Sequence, residues 1–185
     1  MATDLPPVRG TSVTAHRVLR TFGFVDIGGF TSFSNMEGDD RAVEELSQFR
    51  SIVRAVGSGT GVRVAKWLGD GAMLVALEPV SMVSAILDIM RRMKRAELAL
   101  PLHAGVAQGH VILFEGDDHI GSTVNLAARL ADTAGSWQIY APIDTVPGLA
   151  SSDAPIGLVD VPGFQEPIEV ADLSRVESLI GALDL

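Results

Sequence analysis

The sequence predicts a single α+β domain, a mostly antiparallel sheet packed by helices. Short apolar runs flank the tight Gly-bearing segments Gly69-Asp70-Gly71 and Gln108-Gly109, the spacing of directly joined antiparallel strands. Two longer stretches, at 40–56 and from Pro79, repeat apolar residues at intervals of three and four, the period of a helix with one buried face. At 185 residues with 47% hydrophobic composition, the chain is long enough for one real core.

Residues 1–19 have no sustained periodicity and read as a flexible N-terminal arm, with order starting near Arg20. Phe22, Phe24, Val25 and Ile27 suit a buried strand that places Asp26 at its C-terminal end. Gly28-Gly29-Phe30-Thr31-Ser32 then reads as a turn opening a helix capped by Thr31 or Ser32. Over 40–56, Ala42, Leu46, Phe49, Val53 and Val56 form a core stripe, and the glycines at 57, 59 and 61 end that helix. Strands at 62–68 and 72–77 make a hairpin with Asp70 in its turn.

Pro79 opens the next helix, with Val83, Ile86, Leu87, Met90 and Met93 on one face. Arg91, Arg92, Lys94 and Arg95 crowd its C-terminal half, where the helix dipole favours cations. Residues 100–107 and 110–114 read as two strands around Gln108-Gly109, and 115–118 as a polar loop. Ser122 or Thr123 caps a helix ending near Gly135, and strands at 138–141, 157–161 and 167–171 complete the chain. A crossover that sets the first strand beside the hairpin brings Asp26 and Asp70 to one end of the sheet.

Charge and composition narrow the chemistry. A net charge of −9, from 14 Lys and Arg against 23 Asp and Glu, argues against nucleic acid or an anionic membrane as a general partner. A polyanionic substrate must then be met locally or through a metal. Without cysteine there is no disulfide, thiolate catalyst or Cys-type zinc site. The opening MATDLPPVRG lacks a signal-peptide pattern, which gives a cytoplasmic expectation. The longest uncharged stretch, 98–114, is broken by Pro101, His103, Gln108 and His110, so no membrane span is expected.

Asp26 and Asp70 are the anionic oxygen donors a hard divalent cation needs, although each alone also fits an ordinary cap or hairpin turn. The Gly28-Gly29 turn suits phosphate at a helix start, or is simply a tight turn. Lys66, one of two lysines, lies in an apolar strand, where an ammonium is costly unless it reaches a partner or snorkels to water. Asn125 and Arg129, four apart on one helix, can hold one anion between amide and guanidinium; the alternative is a solvated face with Arg129 pairing Asp132. His16, His103, His110 and His119 include no i, i+4 pair and are assigned no ligand role.

Three segments in this order, Phe24-Val25-Asp26-Ile27-Gly28-Gly29-Phe30-Thr31, Lys66-Trp67-Leu68-Gly69-Asp70-Gly71 and Asp118-His119-Ile120-Gly121-Ser122-Thr123-Val124-Asn125-Leu126-Ala127-Ala128-Arg129, resemble the class III nucleotidyl cyclase homology domain. The resemblance runs over residues 20–172 and closes on Gly163-Phe164-Gln165-Glu166-Pro167-Ile168-Glu169-Val170, leaving 173–185 as a C-terminal tail. It implies the ferredoxin-like, palm-type α/β sandwich of that family and a bacterial-type stand-alone adenylate cyclase making cyclic AMP and pyrophosphate from ATP. By the same resemblance, Asp26, Asp70 and the Ile27 backbone bind two Mg²⁺ or Mn²⁺ ions, and Gly28, Gly29, Phe30 and Thr31 form a phosphate loop. Asn125 orients the ribose, Arg129 clamps the α-phosphate, and Lys66 and Asp118 select adenine.

The family's sites lie between two subunits, so a homodimer with two shared sites is implied. Many relatives carry a further triphosphate-binding lysine near the C-terminal strands; here Lys94 is the last lysine. A guanylate cyclase and a catalytically silent nucleotide-binding or regulatory homologue are the alternatives, and degenerate relatives typically lack a metal Asp or the Asn/Arg pair retained here.

Overall fold

In the computed structural model, residues 16–114, 118–146, 154 and 156–176 are described. The elements are β1 (Arg17–Ile27), α1 (Phe30–Glu37), α2 (Asp39–Thr60), β2 (Arg63–Leu68), β3 (Gly71–Ala76), α3 (Pro79–Arg95), β4 (Leu102–Phe114), β5 (Asp118–Ile120), α4 (Ser122–Thr133), β6 (Ile139–Pro142), β7 (Ile156–Val159) and β8 (Ile168–Asp172), then a 3₁₀ turn at Leu173–Arg175. The sheet order is β2-β3-β1-β4-β6-β8-β7, with β5 folded onto the end of β4. Only β4 and β6 run parallel among the paired strands. This is the mixed, mostly antiparallel sheet packed by helices that the sequence predicts.

Period-2 alternation in β1 divides the interior. Val25 and Ile27 face the core built with Phe49 and Val53 of α2 and with Met82, Ile86 and Met90 of α3. Phe22 and Phe24 face the other side, where Met73, Val75, Ala107, Val111 and Ala127 of α4 meet them. The α4 backbone lies so close to β4 that a Cβ on Gly105 would sit 2.2 Å from Ala127 O and 2.3 Å from Ala131 N.

Several boundaries differ from expectation. β4 is continuous, and Gly109 lies inside it: a Cβ there would meet Thr123 Oγ1 at 2.3 Å, so the glycine admits the first turn of α4 instead of turning the chain. Asp118 begins β5 instead of closing a loop; residues 115–117 lie outside the described residues. α2 continues through Gly57 and Gly59 to Thr60, because a helical glycine costs only about 1 kcal/mol, and stops at Gly61, whose φ is +71°. Neither Thr31, Ser32, Ser122 nor Thr123 caps a helix; Gly29 and Gly121 hold the cap positions without a side-chain bond.

At the ends, β1 starts at Arg17 and is paired with β4 from its first residue, so order precedes Arg20. Leu173 and Val176 are buried, and packing therefore continues past residue 172. The remainder of the N-terminal arm, 1–15, and of the C-terminal tail, 177–185, lies outside the described residues. Among the described residues, no helix is long and apolar enough to cross a membrane.

Gly105→Ala should force α4 off the sheet and lower unfolding stability by about 3 kcal/mol, the upper range for overpacking. A urea-denaturation midpoint equal to that of the unsubstituted protein would contradict the contact.

Candidate active site

Three strands set the first half of the site. Asp26, next to last in β1, is opposite Gly71 of β3 and His103 of β4. A Cβ on Gly71 would stand 2.5 Å from Asp26 Oδ1, so the glycine makes room for the carboxylate. The β2–β3 turn brings Asp70 into the same cleft of about 260 Å³, which Leu68, Ala128, Ala131 and Asp132 also line.

Desolvation, then the charge of Asp70, pushes the Asp26 carboxyl up to about 6; His103 and a hydrogen bond from the Ile27 backbone pull it down by less, and Asp132 adds a small further rise. A carboxyl whose ionisation is opposed by a neighbouring carboxylate is a place where a dication lowers the energy. Among the described residues no cluster of three His, Asp or Glu side chains can hold a metal alone. The donor set therefore fits a cation of the Mg²⁺ kind, which takes one or two carboxylates and completes its shell with water and substrate phosphate. Asp26, Asp70 and the Ile27 carbonyl would hold it.

The glycine turn divides its work. Gly28 N–H donates to Pro101 O at 2.8 Å and is committed to the fold, while Gly29, with φ +80°, turns the chain into α1 at Phe30 and Thr31. Of the two readings of Lys66, the structure favours a partner: its Nζ lies 2.5 Å from Asp118 Oδ1, with the two side chains 52% and 51% exposed.

Asn125 and Arg129 project from α4 into a second cleft, about 490 Å³, lined also by Ser122, Ala128, Pro162, Gly163 and Phe164. Ala128 borders both clefts. Arg129 donates to Asp132 Oδ2 at 3.2 Å, the solvated-face pairing weighed above. An exposed pair of this kind contributes only about 0–1 kcal/mol, so Arg129 is readily redirected to a phosphate. Both lysines have partners: Lys94 Nζ sits 4.8 Å over the Trp137 ring, leaving Arg129 the one cationic side chain lining the second cleft among the described residues.

Sequence reasoning missed His103 and Asp132 as neighbours of the site. His103 Nδ1 is 2.8 Å from Ala131 O and its Nε2 is 3.8 Å from Asp26 Oδ2, so the ring bridges β1 and α4. Only the β1–β4 register reveals this contact; spacing within one helix, the test applied to the histidines, has no access to it.

No protein-family model matches the chain. An uncharacterised protein of Mycobacterium tuberculosis is 31% identical over 166 residues, 86% of this chain and 42% of that protein. An adenylate cyclase of Glutamicibacter nicotianae is 30% identical over 115 residues, 62% of this chain and 28% of that one. The chain thus spans less than half the length of these relatives. Among solved structures, the adenylyl cyclase CyaB of P. aeruginosa superposes with a TM-score of 0.74 at 23% identity, over 86% of this chain and 95% of its own. The guanylyl cyclase Cya2 gives the same TM-score at 18% identity, over 85% and 92%.

The raised Asp26 pKa has a consequence for stability. The folded state binds this proton more tightly than the unfolded chain, so ionising Asp26 opposes folding. That cost is absent below pH 4, grows as pH rises from about 4 to about 6, and is full above 6. In chelator, Asp26→Asn should melt above the unsubstituted protein at pH 8, with the advantage vanishing near pH 4. Calorimetry at both pH values checks this, and equal melting temperatures at pH 8 would contradict it.

Proposed function

From the premise that the chain has the catalytic-domain fold of the class III adenylyl and guanylyl cyclases, we propose that it is an adenylate cyclase converting ATP to 3′,5′-cyclic AMP and pyrophosphate at sites shared between two copies of itself. The observation that carries this reading is the convergence of Asp26 and Asp70 in one cleft, 44 residues apart in sequence. When bound there, two Mg²⁺ or Mn²⁺ ions supply charge neutralisation at the phosphates and a more acidic ribose 3′-hydroxyl.

The chain's own residues bind and orient. Adenine offers an acceptor at N1 beside a donor at N6, and the adjacent Lys66 ammonium and Asp118 carboxylate complement that edge. Asn125 orients the ribose so that its 3′-oxygen lies in line with the α-phosphorus. The new O3′–P bond forms as the 3′-hydroxyl gives up its proton to water and the bond to pyrophosphate breaks, and Arg129, released from Asp132, stabilises the charge building on the α-phosphate oxygens. The first-turn backbone at Gly29, Phe30 and Thr31 faces phosphate.

Sharing between subunits is supported by the division of the site. Asp26 and Asp70 line one cleft and Asn125 and Arg129 another, so one copy can present its carboxylates to the other copy's Asn and Arg. The intact Asp26, Asp70, Asn125 and Arg129 set favours an active enzyme over a silent homologue.

Purified protein with Mn²⁺ should form cyclic nucleotide from ATP at least tenfold faster than from GTP, measured by chromatography of product and pyrophosphate. Equal or faster turnover of GTP would overturn the base assignment. Asp26→Ala and Arg129→Ala should each be nearly inactive. Mixed in equal amounts with subunit exchange, they should recover roughly a quarter of full activity, since about half of the dimers carry one undamaged site. No recovery despite measured exchange would place both residues in one chain's site.

A further inference from the structure

The turn that carries Asp70 is held from outside the sheet. Leu68 of β2 pairs with Gly71 of β3, leaving Gly69 and Asp70 as a two-residue loop. Gly69 has φ +64° while Asp70 keeps a negative φ, the signs of a type II′ turn. In such a loop the peptide between the two central residues lies outside the strand ladder. Rotating that one plane gives the type I′ form, with φ positive at both positions, and aspartate is among the side chains that tolerate it. Nothing packs within 4 Å of the Cβ position of Gly69, so sterics at the glycine do not choose between the forms. The choice matters because it sets where the Asp70 side chain leaves the backbone.

Arg50 of α2 makes the contact that chooses. Its guanidinium donates to Gly69 O at 2.8 Å, the carbonyl of that peptide plane, and lies 5.1 Å over the Trp67 ring. Arg54, one turn along α2, lies 5.0 Å over the same ring. Among the described residues, no hydrogen bond from Arg54 to the turn accompanies that stacking. Arg50 Nε is buried with no hydrogen-bond partner among the described residues, an arrangement that opposes folding. A residue kept for packing alone would be better served by an apolar chain of the same length. Stacking on Trp67 fixes the guanidinium in place, and the one bond it makes to the loop is to the movable plane.

We infer that Arg50 is a positioning residue for divalent-cation binding: by fixing the Gly69–Asp70 peptide it holds the Asp70 carboxylate opposite Asp26. The inference rests on Asp70 being a cation ligand, as proposed above. Partners that orient ligands commonly change metal affinity or activity by about 10–100-fold when removed.

The test is a Mn²⁺ titration of the full chain without nucleotide, with free Mn²⁺ read by electron paramagnetic resonance, alongside the Mn²⁺ and ATP dependence of turnover. Arg50→Met, with circular dichroism and melting near those of the unsubstituted protein, should bind Mn²⁺ roughly tenfold more weakly and raise the Mn²⁺ requirement more than the KM for ATP. Arg54→Met, which loses the same stacking but no bond to the loop, should stay within about twofold. Should Arg50→Met fail to fold, Arg50→Gln, too short to reach Gly69 O, takes its place with the same expectation. Unchanged Mn²⁺ affinity in the folded Arg50 variant, or an equal loss in Arg54→Met, overturns the inference while leaving Asp70 as a ligand. Unchanged affinity in Asp70→Ala overturns the cation reading itself and this inference with it.

Discussion

Slippage of β1 by one residue would turn Phe22 and Phe24 out of one core and Val25 and Ile27 out of the other. That double burial, with antiparallel partners on both sides, fixes β1 against β3 and β4 more firmly than any single contact. It is why Asp26 can be kept beside Asp70 although burial and the neighbouring Asp70 charge both oppose its ionisation. The cost is local, visible in the raised Asp26 pKa, and the ladder absorbs it. A slip by one residue would also carry Asp26 to the opposite face of the sheet, away from the cleft it shares with Asp70.

The second constraint is the depth of α4. Gly105 and Gly109 remove the side chains that would stand between β4 and the helix, while Ala127 and Ala131 are small where the helix meets the sheet. The close approach lets a single helix border both clefts through Ala128, so the carboxylates and the Asn125–Arg129 pair keep a fixed relation within the chain. Displacing α4 would disturb both halves together.

Most of this was legible in the sequence where a local rule had one physical cause. The apolar periods of α2 and α3 and the Gly69-Asp70 turn announced themselves, and with them the convergence of Asp26 and Asp70. Glycine was the weak point, because one residue type serves three purposes. At Gly109 it admits a helix, at Gly57 and Gly59 it is merely tolerated, and at Gly61 it ends one; only the tertiary neighbours distinguish these. His103 and Arg50 were illegible for a related reason, since their significance lies in a cross-strand register and in a carbonyl 19 residues away, neither of which leaves a sequence period.

The distribution of cations bears on how a polyanion is accommodated. Lys66 is paired with Asp118, Lys94 stacks on Trp137, and Arg50 and Arg54 lie against Trp67. Among the described residues lining the two clefts, that leaves Arg129, lightly held by Asp132, in a chain whose net charge is −9. On the proposed reading, side-chain cations cannot balance a triphosphate, and most of the compensation must come from the ions that Asp26 and Asp70 hold. The missing C-terminal lysine and the crowded carboxylates are then two sides of one arrangement: affinity for the nucleotide rests on the cation site more than on the protein's own positive charge. This gives the geometry of the Asp70 turn, and whatever fixes it, a larger share in substrate binding than it would have in a site lined by lysines.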